Sequence, residues 1–283
     1  MELKSYLDSF ISGAINEDIG PGDYTSLAIF PSDKKGVSRL LVKQEGILSG
    51  AEISIEILKR FDPEIKVEQY FFDGEPIQVN DIVYIAEGKI LALLQAERLV
   101  LNLVQRMSGI ATQTRQYVEA IKGLDTKLLD TRKTTPGLRI LEKIAVKHGG
   151  GVNHRMGLYD AMMIKDNHID YVGGIRKAIE MTRDYNKKNQ LNLKIICEVR
   201  SLADIAEVLK TGGVDRVLLD NFSPELTREA LSLIQGKLET ESSGGITLAN
   251  IREYARCGVD YISVGALTHQ IRSLDLSLKA VVS

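Results

Sequence analysis

The fold is decided by residues 128–170, which read LLDTRKTTPGLRILEKIAVKHGGGVNHRMGLYDAMMIKDNHID. A short apolar run ends at Asp130, a helical pattern with an apolar stripe ends at Gly149, and a second apolar run covers residues 161–164. This order of strand, helix and strand is typical of a parallel βαβ unit, whose crossover needs a dozen or more residues. The stretch therefore predicts the start of a parallel sheet.

The helix of this unit has recognisable ends. Thr134 or Thr135 is a suitable N-cap, and Pro136 is a suitable first residue because a missing N–H leaves no hydrogen bond unmade there. The glycines at 149–151 stop the helix. Because three successive glycines supply more backbone freedom than one helix terminus needs, we expect the chain to pass close to another group there.

Cations are concentrated in the turns of this stretch. It holds seven Lys or Arg against five Asp or Glu, and three of the four histidines, although the formal net charge of the chain is −2. Any one of these cations taken singly is compatible with a solvated surface. The side chains of Arg132, Lys133, His154 and Arg155, however, lie in turns beside glycines and hydroxyls, and Lys165 ends the second strand. Such a set predicts an anion-binding site.

The same rhythm continues toward the C-terminus. Short apolar runs, separated by helical patterns, end at Asp130, Lys165, Glu198, Asp220, Glu241 and Gly265. Repeated βα units form parallel sheets with right-handed crossovers. The units are too few for a closed eight-stranded barrel, so we predict an α/β fold with an incomplete β/α barrel of six or seven strands. The carboxyl ends of barrel strands carry the chemistry.

The later strand ends offer carboxylates and glycines. Glu198 and Asp220 are predicted to face one another across the barrel mouth. They suit a general acid/base pair, a divalent-metal site, acceptors for vicinal ribose hydroxyls, or ion pairs with nearby Lys or Arg. Ser243 and Gly244 precede one helix and Gly265 precedes another, an arrangement that predicts a phosphate cradle.

The N-terminal part reads as an antiparallel α+β unit. Helices are predicted at about 3–16 and 51–61, and strands at 37–43 and 65–72. Two further β segments are predicted at 81–86 and 89–94, with Glu87-Gly88 as the turn between them. A helix follows from Ala96, with Arg98 in its first turn, where a cation opposes the helix dipole at a cost of roughly 0.3 to 1 kcal/mol. An anionic partner elsewhere would offset this cost, and a surface Arg that pairs with Glu97 or a solvated neighbour is equally compatible with the sequence.

These patterns divide the chain into three parts. We predict an N-terminal α+β sandwich domain at 1–108, a β/α barrel catalytic domain at 109–270, and a C-terminal tail at 271–283 that packs back on the N-terminal domain.

Composition excludes several classes of protein. At 283 residues with 44% hydrophobic residues the chain can form a substantial core, and no apolar run approaches the ~18 residues that a membrane span needs. The N-terminus lacks a signal peptide's apolar region, so a cytoplasmic location is expected. Two cysteines support neither a disulfide framework nor a zinc cluster. A net charge of −2, 6% aromatics and no Trp argue against a nucleic-acid surface.

Six ordered strings carry a family resemblance: DTRKTTPGLR, GGGVNHRMGLYDAMMIKDNHI, EVRSL, LLDN, ESSGGI and VGALTH. They resemble the quinolinate phosphoribosyltransferases, also called nicotinate-nucleotide pyrophosphorylases (carboxylating). The resemblance implies an incomplete barrel joined to an N-terminal sandwich. It also implies transfer of a phosphoribosyl group from phosphoribosyl pyrophosphate to quinolinate with decarboxylation, which gives nicotinate mononucleotide, pyrophosphate and CO2 for NAD biosynthesis. Mg²⁺ and a homodimer are implied as well.

The resemblance also assigns roles to residues. It implies that quinolinate is held by Arg132, His154, Arg155 and Lys165, with Arg98 entering from the other subunit. It implies that phosphoribosyl pyrophosphate is held by Lys133, Lys165, Glu198, Asp220, Ser243, Gly244 and Gly265. Lys165, Glu198 and Asp220 are the expected catalytic residues, and Glu198 and Asp220 would meet Mg²⁺ through water.

Two other functions stay open on the sequence alone. A strand-end lysine in a barrel is also compatible with a Schiff-base lyase or aldolase that uses Lys165. A paralogue of the same fold could bind a ligand other than quinolinate. The dinucleotide-like phosphoribosyltransferases are disfavoured because their paired acidic motif is missing: the chain contains no Asp-Asp.

Overall fold

The structure, a computed structural model, describes residues 3–281. From the N-terminus its elements are α1 (Leu3–Ile19), α2 (Tyr24–Ile29), β1 (Lys35–Val42), β2 (Gly46–Ile47), α3 (Ala51–Phe61), β3 (Lys66–Gln69), β4 (Pro76–Ile77), β5 (Ile82–Lys89) and α4 (Ile90–Ala120). They continue with β6 (Lys127–Leu129), α5 (Arg139–His148), β7 (Met162–Ile164), α6 (Asp166–Val172), α7 (Ile175–Lys188), β8 (Ile195–Val199), α8 (Leu202–Thr211), β9 (Arg216–Asp220), α9 (Pro224–Ile234), β10 (Glu239–Ser243), α10 (Ile251–Ala255), β11 (Tyr261–Ser263), α11 (Ala266–His269) and β12 (Leu276–Val281). Within these residues, none of the helices has the combination of length and apolarity that crossing a membrane requires.

The chain folds as two compact units. The first comprises the chain up to Arg115, Ile140–Gly150 and the chain from Gln270; the second comprises Gln116–Arg139 and Gly151–His269. The division therefore falls after residue 115 rather than after residue 108, and 140–150 groups with the first unit although it lies within the predicted barrel domain. A partly buried ion pair contributes to this grouping, because Arg106 Nη2 of α4 lies 2.6 Å from Glu142 Oε1 of α5.

The first unit is built on a four-stranded antiparallel sheet in the order β12-β1-β5-β3. The pairing of β12 with β1 runs from Val281 opposite Val37 to Leu276 opposite Val42. Leu40 and Val42 are fully buried while Arg39 is exposed, as expected of a strand with one face against a core. The last described residues thus belong to the same sheet as the first strand.

The predicted turn at Glu87-Gly88 and the β segment at 89–94 are wrong. β5 runs through Gly88 to Lys89, and α4 begins at Ile90. Gly88 is needed for close packing within a strand, because a Cβ there would lie 2.8 Å from Ile65 Cγ1. The helix α4 is also continuous through Ser108-Gly109, where a side chain on Gly109 would collide with the backbone oxygen of Arg272.

The predicted start of the next helix is also wrong. Pro136 lies in a turn with Gly137 at φ +82°, and α5 begins only at Arg139. Leu141 and Ala145 of α5 are buried as expected, but the charged residues Glu142 and Lys143 are buried as well. The helix ends at His148, before the three glycines.

The second unit is built on a six-stranded parallel sheet in the order β6-β11-β10-β9-β8-β7. The first strand thus pairs with the last, as in a barrel, and within residues 3–281 no ladder joins β6 to β7. At that opening Leu129 forms an isolated parallel bridge with Val152. The predicted α/β fold with an incomplete β/α barrel of six or seven strands is confirmed, and the number of strands among the described residues is six.

Two predicted boundaries in this unit shift. Glu241 does not end its strand, because β10 continues to Ser243. The helix predicted to follow Ser243 and Gly244 begins only at Ile251, so several residues separate it from Gly244-Gly245. The helical patterns expected between the later strands are present, for example as α8 and α9.

Candidate active site

Strand register places three polar side chains on one face of the parallel sheet. Glu198 of β8 lies opposite Leu218 of β9, and Ser243 of β10 lies opposite Asp220. Because residues two apart on a strand share a face, Glu198, Asp220 and Ser243 project on the side of Ile196 and Leu218, which pack together in one hydrophobic cluster. They lie at the carboxyl ends of their strands, where barrels bind ligands.

Lys165 and Glu198 form an ion pair at this face. Lys165 Nζ lies 3.2 Å from Glu198 Oε2, and the lysine side chain is 47% exposed whereas the glutamate side chain is 9% exposed. The backbone N–H of Lys165 donates to His168 Nδ1 at 2.9 Å. The ion pair was one of the alternatives for Glu198, and it leaves the lysine within reach of a ligand from solvent.

Asp220 is held by neutral donors instead of a cation. Ser243 Oγ donates to its Oδ1 at 2.9 Å and Asn221 Nδ2 donates to its Oδ2 at 2.7 Å. The backbone N–H of Asn221 donates to the carbonyl of Ser243 at 2.8 Å, which ties the ends of β9 and β10 together. Gly244 has φ +88°, and a side chain there would collide with Asn221 Oδ1. Only glycine therefore fits this position.

The cationic turns bring two guanidinium groups near each other. Burial lowers the pKa of Arg155, and the positive charge of Arg132 lowers it further, against the opposing effect of Asp160. Arg132 Nε is buried and has no hydrogen-bond partner among the described residues. Arg155 Nη1 donates to the carbonyl of Ala161 at 3.1 Å. An anion bound here would relieve the repulsion between the two guanidiniums.

Two buried carboxylates fix the turn that carries His154. Asp130, fully buried, accepts from the backbone N–H of His154 at 2.8 Å and from Asn153 Nδ2 at 2.6 Å. His154 Nε2 lies 3.3 Å from Glu241 Oε2, and His154 Nδ1 accepts the backbone N–H of Arg155 at 2.6 Å. Both nitrogens of the imidazole therefore face protein groups, and the ring holds the backbone of Arg155.

Glu241 of β10 is charged although its side chain is buried. Burial opposes its ionisation, but hydrogen bonds to His154 and Ser263 and the positive charge of Arg216 outweigh burial and lower the pKa of Glu241. Arg216 Nη1 lies 3.0 Å from Glu241 Oε2, and its guanidinium stacks 3.8 Å from the centre of the Tyr261 ring. This network contacts the turn of Arg155 through His154.

Lys133 lies beside the glycine that follows β11. A Cβ on Gly265 would be 3.0 Å from Lys133 Cδ and 3.0 Å from His269 Nε2. Thr268 Oγ1 donates to the carbonyl of Lys133 at 2.8 Å. The turn of Lys133 and the start of α11 therefore form one surface, with Gly265 packed between two basic side chains.

Comparison with known protein families identifies the family of this chain. The model of the quinolinate phosphoribosyl transferase N-terminal domain matches residues 23–108, and the model of the C-terminal domain of the same family matches residues 110–279. The chain belongs to the quinolinate phosphoribosyltransferase family.

Relatives agree along almost the whole chain. A mitochondrial quinolinate phosphoribosyltransferase [decarboxylating] 2a of Nicotiana tabacum is 41% identical, covering 94% of this chain and 80% of its own. A probable nicotinate-nucleotide pyrophosphorylase [carboxylating] of Bacillus subtilis (strain 168) is 40% identical, covering 100% and 95%. The crystal structure of NadC from Streptococcus pyogenes superposes with a TM-score of 0.93 at 38% identity, covering 99% of each chain.

Arg98, to which the family resemblance gives a role in trans, lies in the first unit. It is exposed and sits in the third turn of α4, because that helix begins at Ile90 instead of Ala96. The predicted conflict with the helix dipole is therefore wrong, since that effect is confined to the first turn. Arg98 makes no ion pair with any residue of 3–281.

The remaining predicted site residues all lie in the second unit, and several touch groups that sequence reasoning gave no role. These groups are Arg139, His168, Asn221 and His269. Each belongs to one of the strings that carry the family resemblance and lies within a few residues of a predicted site residue. Polar side chains next to a strand end or a glycine were the available signal.

Proposed function

We propose that this chain transfers the phosphoribosyl group of phosphoribosyl pyrophosphate to quinolinate and releases CO2, giving nicotinate mononucleotide and pyrophosphate. In a member of this family, the observation that carries the proposal is the pair of guanidiniums of Arg132 and Arg155. The charge of one lowers the pKa of the other, and Arg132 Nε has no partner within residues 3–281. A ligand with two adjacent carboxylates supplies what both cations lack.

Quinolinate would lie against the cationic turns. Arg132 and Arg155 can each grip a carboxylate through a planar fork, and Lys165, 47% exposed, adds a mobile ammonium at the edge of the pocket. His154 lines the same turn and holds the backbone of Arg155. The aromatic ring would then present its nitrogen toward Glu198 and Asp220.

The phosphoribosyl donor would lie across the later strands. Asp220 is oriented by Ser243 and Asn221, so its carboxylate suits a ribose hydroxyl. We assign the phosphate oxygens to the glycine backbone at Gly244 and Gly265, with Lys133 beside Gly265. Because α10 and α11 are short, we assign the phosphate contacts to loop backbone and Lys133 rather than to a helix dipole.

Magnesium fits this arrangement as a companion of the donor. Among residues 3–281 no three His, Cys, Asp or Glu side chains gather as a metal site. Mg²⁺ typically binds one or two carboxylates together with substrate phosphates and water, so a pair of carboxylates suffices. We propose that Glu198 and Asp220 face the ion through water. When bound, the ion would neutralise charge on the departing pyrophosphate.

The residues of the site then act through electrostatics. The quinolinate nitrogen forms a bond to the anomeric carbon as the bond to pyrophosphate breaks, and the negative charges of Glu198 and Asp220 favour the cationic ribose in between. The pyridinium product accepts the electron pair left on its carbon 2 when CO2 departs, and that carbon then takes up a proton. Lys165 lies nearest the exposed edge and is proposed to hold the carboxylate that remains bound.

The other functions considered from the sequence are less favoured. Family membership along residues 23–279 supports phosphoribosyl transfer over a Schiff-base lyase. Borohydride trapping with a ketone tests that alternative directly, since a Schiff base would leave a covalent adduct on Lys165. A paralogue with another ligand would bind no aromatic dicarboxylate.

Assembly and location extend the proposal. We propose a two-fold homodimer in which Arg98 of one chain enters the site of its partner, which is consistent with the exposed Arg98 and its lack of an ion pair among the described residues. The cytoplasmic location predicted from the sequence stays a prediction.

Product analysis tests the function. Purified protein is mixed with quinolinate labelled at the 2-carboxylate, phosphoribosyl pyrophosphate and Mg²⁺. Nicotinate mononucleotide, pyrophosphate and labelled CO2 are expected in equal amounts, and omission of either substrate should abolish all three. Release of no CO2, or equal turnover of nicotinate, would contradict the proposal.

A further inference from the structure

Arg139 connects the two turns that carry the guanidiniums. Its Nε donates to Thr134 Oγ1 at 3.0 Å and its Nη2 to the carbonyl of Arg132 at 3.4 Å. Its Nη1 donates to the carbonyl of Met156 at 3.1 Å, on the turn that carries Arg155. One planar side chain thus reaches the backbone next to both arginines of the proposed dicarboxylate pocket.

The other hydrogen bonds at the outer part of each turn lie within that turn. Within the first, the backbone N–H of Thr134 donates to the carbonyl of Arg132 at 2.9 Å. Within the second, Asp160 accepts from the backbone N–H of Met156 at 2.7 Å and from that of Gly157 at 2.9 Å. Asp130 links the turns at their base through the N–H of His154. The Arg139 bond to Met156 is a second link, near the surface.

The charge of Arg139 is also informative. Its hydrogen-bond acceptors are a hydroxyl and two carbonyls, and within residues 3–281 it forms no ion pair with a carboxylate. It therefore adds positive charge to a cluster in which Arg132 already lowers the pKa of Arg155. A purely structural link could be neutral, whereas a cation here also attracts an anionic ligand.

We propose that Arg139 is a positioning residue that sets the separation between Arg132 and Arg155, so that their guanidiniums match two carboxylates on adjacent atoms of an aromatic ring. The inference rests on the proposed function, because quinolinate is such a ligand. Its consequence is geometric. Loosening the link between the turns should weaken selection of adjacent carboxylates over carboxylates placed further apart.

Lys133, which we assign to phosphoribosyl pyrophosphate, is held by a separate set of hydrogen bonds. The carbonyl of Lys133 accepts from Thr268 Oγ1 at 2.8 Å, and the N–H of Lys133 donates to Thr131 Oγ1 at 3.0 Å. Neither bond involves Arg139. A change at Arg139 should therefore affect quinolinate more than phosphoribosyl pyrophosphate, and a change at Thr268 should do the reverse.

The test compares Arg139→Lys and Arg139→Gln with wild type. An ammonium keeps the charge but cannot span three acceptors, and an amide keeps hydrogen bonding without the charge. We expect KM for quinolinate to rise about tenfold or more in Arg139→Lys, with KM for the donor within about twofold, since a lost hydrogen bond to a charged group has an effect of this order. Thr268→Val should raise KM for the donor instead. Arg176→Lys, at an exposed pair with Glu207 in the same unit, is the matched control.

Inhibition supplies a readout that a merely structural role would not move. Phthalate carries adjacent carboxylates and isophthalate carries them one atom further apart. Wild type should prefer phthalate, and Arg139→Lys should lose most of that preference. An unchanged preference, or equal rises in both substrate KM values together with a lowered Tm, would overturn the inference.

Failure of the proposed function is separable from failure of this inference. If wild type makes no nicotinate mononucleotide, the function fails, and calorimetric binding of phthalate to wild type and Arg139→Lys still tests the link between the turns. Weaker binding by the variant supports it. Equal affinities, or no binding to either protein, overturn it.

Discussion

Glu241 Oε2 lies 3.3 Å from His154 Nε2, and both side chains are almost completely buried. Because His154 Nδ1 accepts the backbone N–H of Arg155, the imidazole proton is on Nε2 and faces the carboxylate. Arg216, on the neighbouring strand, also contacts this carboxylate: its Nη1 lies 3.0 Å from Glu241 Oε2. A buried carboxylate thereby determines the orientation of a turn that carries a substrate-binding arginine.

Glu241→Gln should lower both stability and quinolinate affinity. Removing one member of a buried ion pair costs about 3–5 kcal/mol, so the free energy of unfolding at pH 7 should fall by that order. The pKa of Glu241 is lowered in the fold, so its contribution is present above the unfolded pKa of about 4.3 and is lost as pH falls through the folded pKa. The difference between variant and wild type should therefore shrink on acidification. Denaturant unfolding at pH 7 and at a series of pH values from 4 down to about 2 measures this difference.

The control for this prediction is Glu207→Gln, whose carboxylate pairs with Arg176 at the surface. It should change stability much less at each of these pH values. A difference between Glu241→Gln and wild type that stays constant from pH 7 down to about pH 2 would show that Glu241 stabilises the fold by packing rather than by charge.

Gly244→Ala should impair donor binding more than Gly245→Ala. Both glycines have positive φ, at +88° and +62°, so alanine costs roughly 1–2 kcal/mol of conformational energy at each. At Gly244 the new methyl group would also collide with Asn221, which orients Asp220, whereas at Gly245 it would meet nothing within 4 Å. KM for phosphoribosyl pyrophosphate should rise in the first variant only. Equal KM values in the two variants would show that the contact with Asn221 does not contribute to binding of phosphoribosyl pyrophosphate.

Arg155→Lys should be poorly tolerated although it keeps the charge. A planar guanidinium matches a carboxylate through two parallel hydrogen bonds, which an ammonium cannot make. We expect kcat/KM for quinolinate to fall about ten- to a hundredfold. Arg200→Lys, at an exposed pair with Asp170, should remain near wild type. Wild-type kinetics in Arg155→Lys would place Arg155 outside contact with the substrate.

The barrel and much of its site could be predicted from sequence because their signals are local. Apolar runs followed by a polar residue mark strands that end at Lys165 and Asp220, and the order of the strands follows from repeated crossovers. Glycine at position 244 signals a backbone that no other residue fits. In these cases residue type and spacing already contain the structural reason.

Other features depend on contacts far apart in sequence. The end of an apolar run at Glu241 predicts a strand end there, but β10 continues to Ser243. The buried carboxylate is neutralised by Arg216, which lies on the next strand. Glu87-Gly88 has the composition of a turn, yet Gly88 is there to accommodate Ile65. The contact of Arg139 with Met156 also joins separate parts of the chain, because Met156 lies on a different turn.

The last prediction concerns Arg98. It is exposed on α4 in the first unit, whereas Lys165 lies at the end of β7 in the second. If a two-fold dimer exchanges Arg98 reciprocally, each active site combines Lys165 of one chain with Arg98 of the other. Arg98→Ala and Lys165→Ala should then each be nearly inactive alone.

Mixing the two variants under conditions that allow subunit exchange should restore activity. In a mixed dimer one site carries both substitutions and the other carries neither. With random pairing half of the dimers are mixed and half of their sites are intact, so roughly a quarter of wild-type activity should return. Differently tagged chains show that exchange has occurred, and a mixture of Arg98→Ala with Arg155→Lys should behave in the same way. If tagged heterodimers form and no activity reappears, Arg98 acts within its own chain or has no part in the reaction.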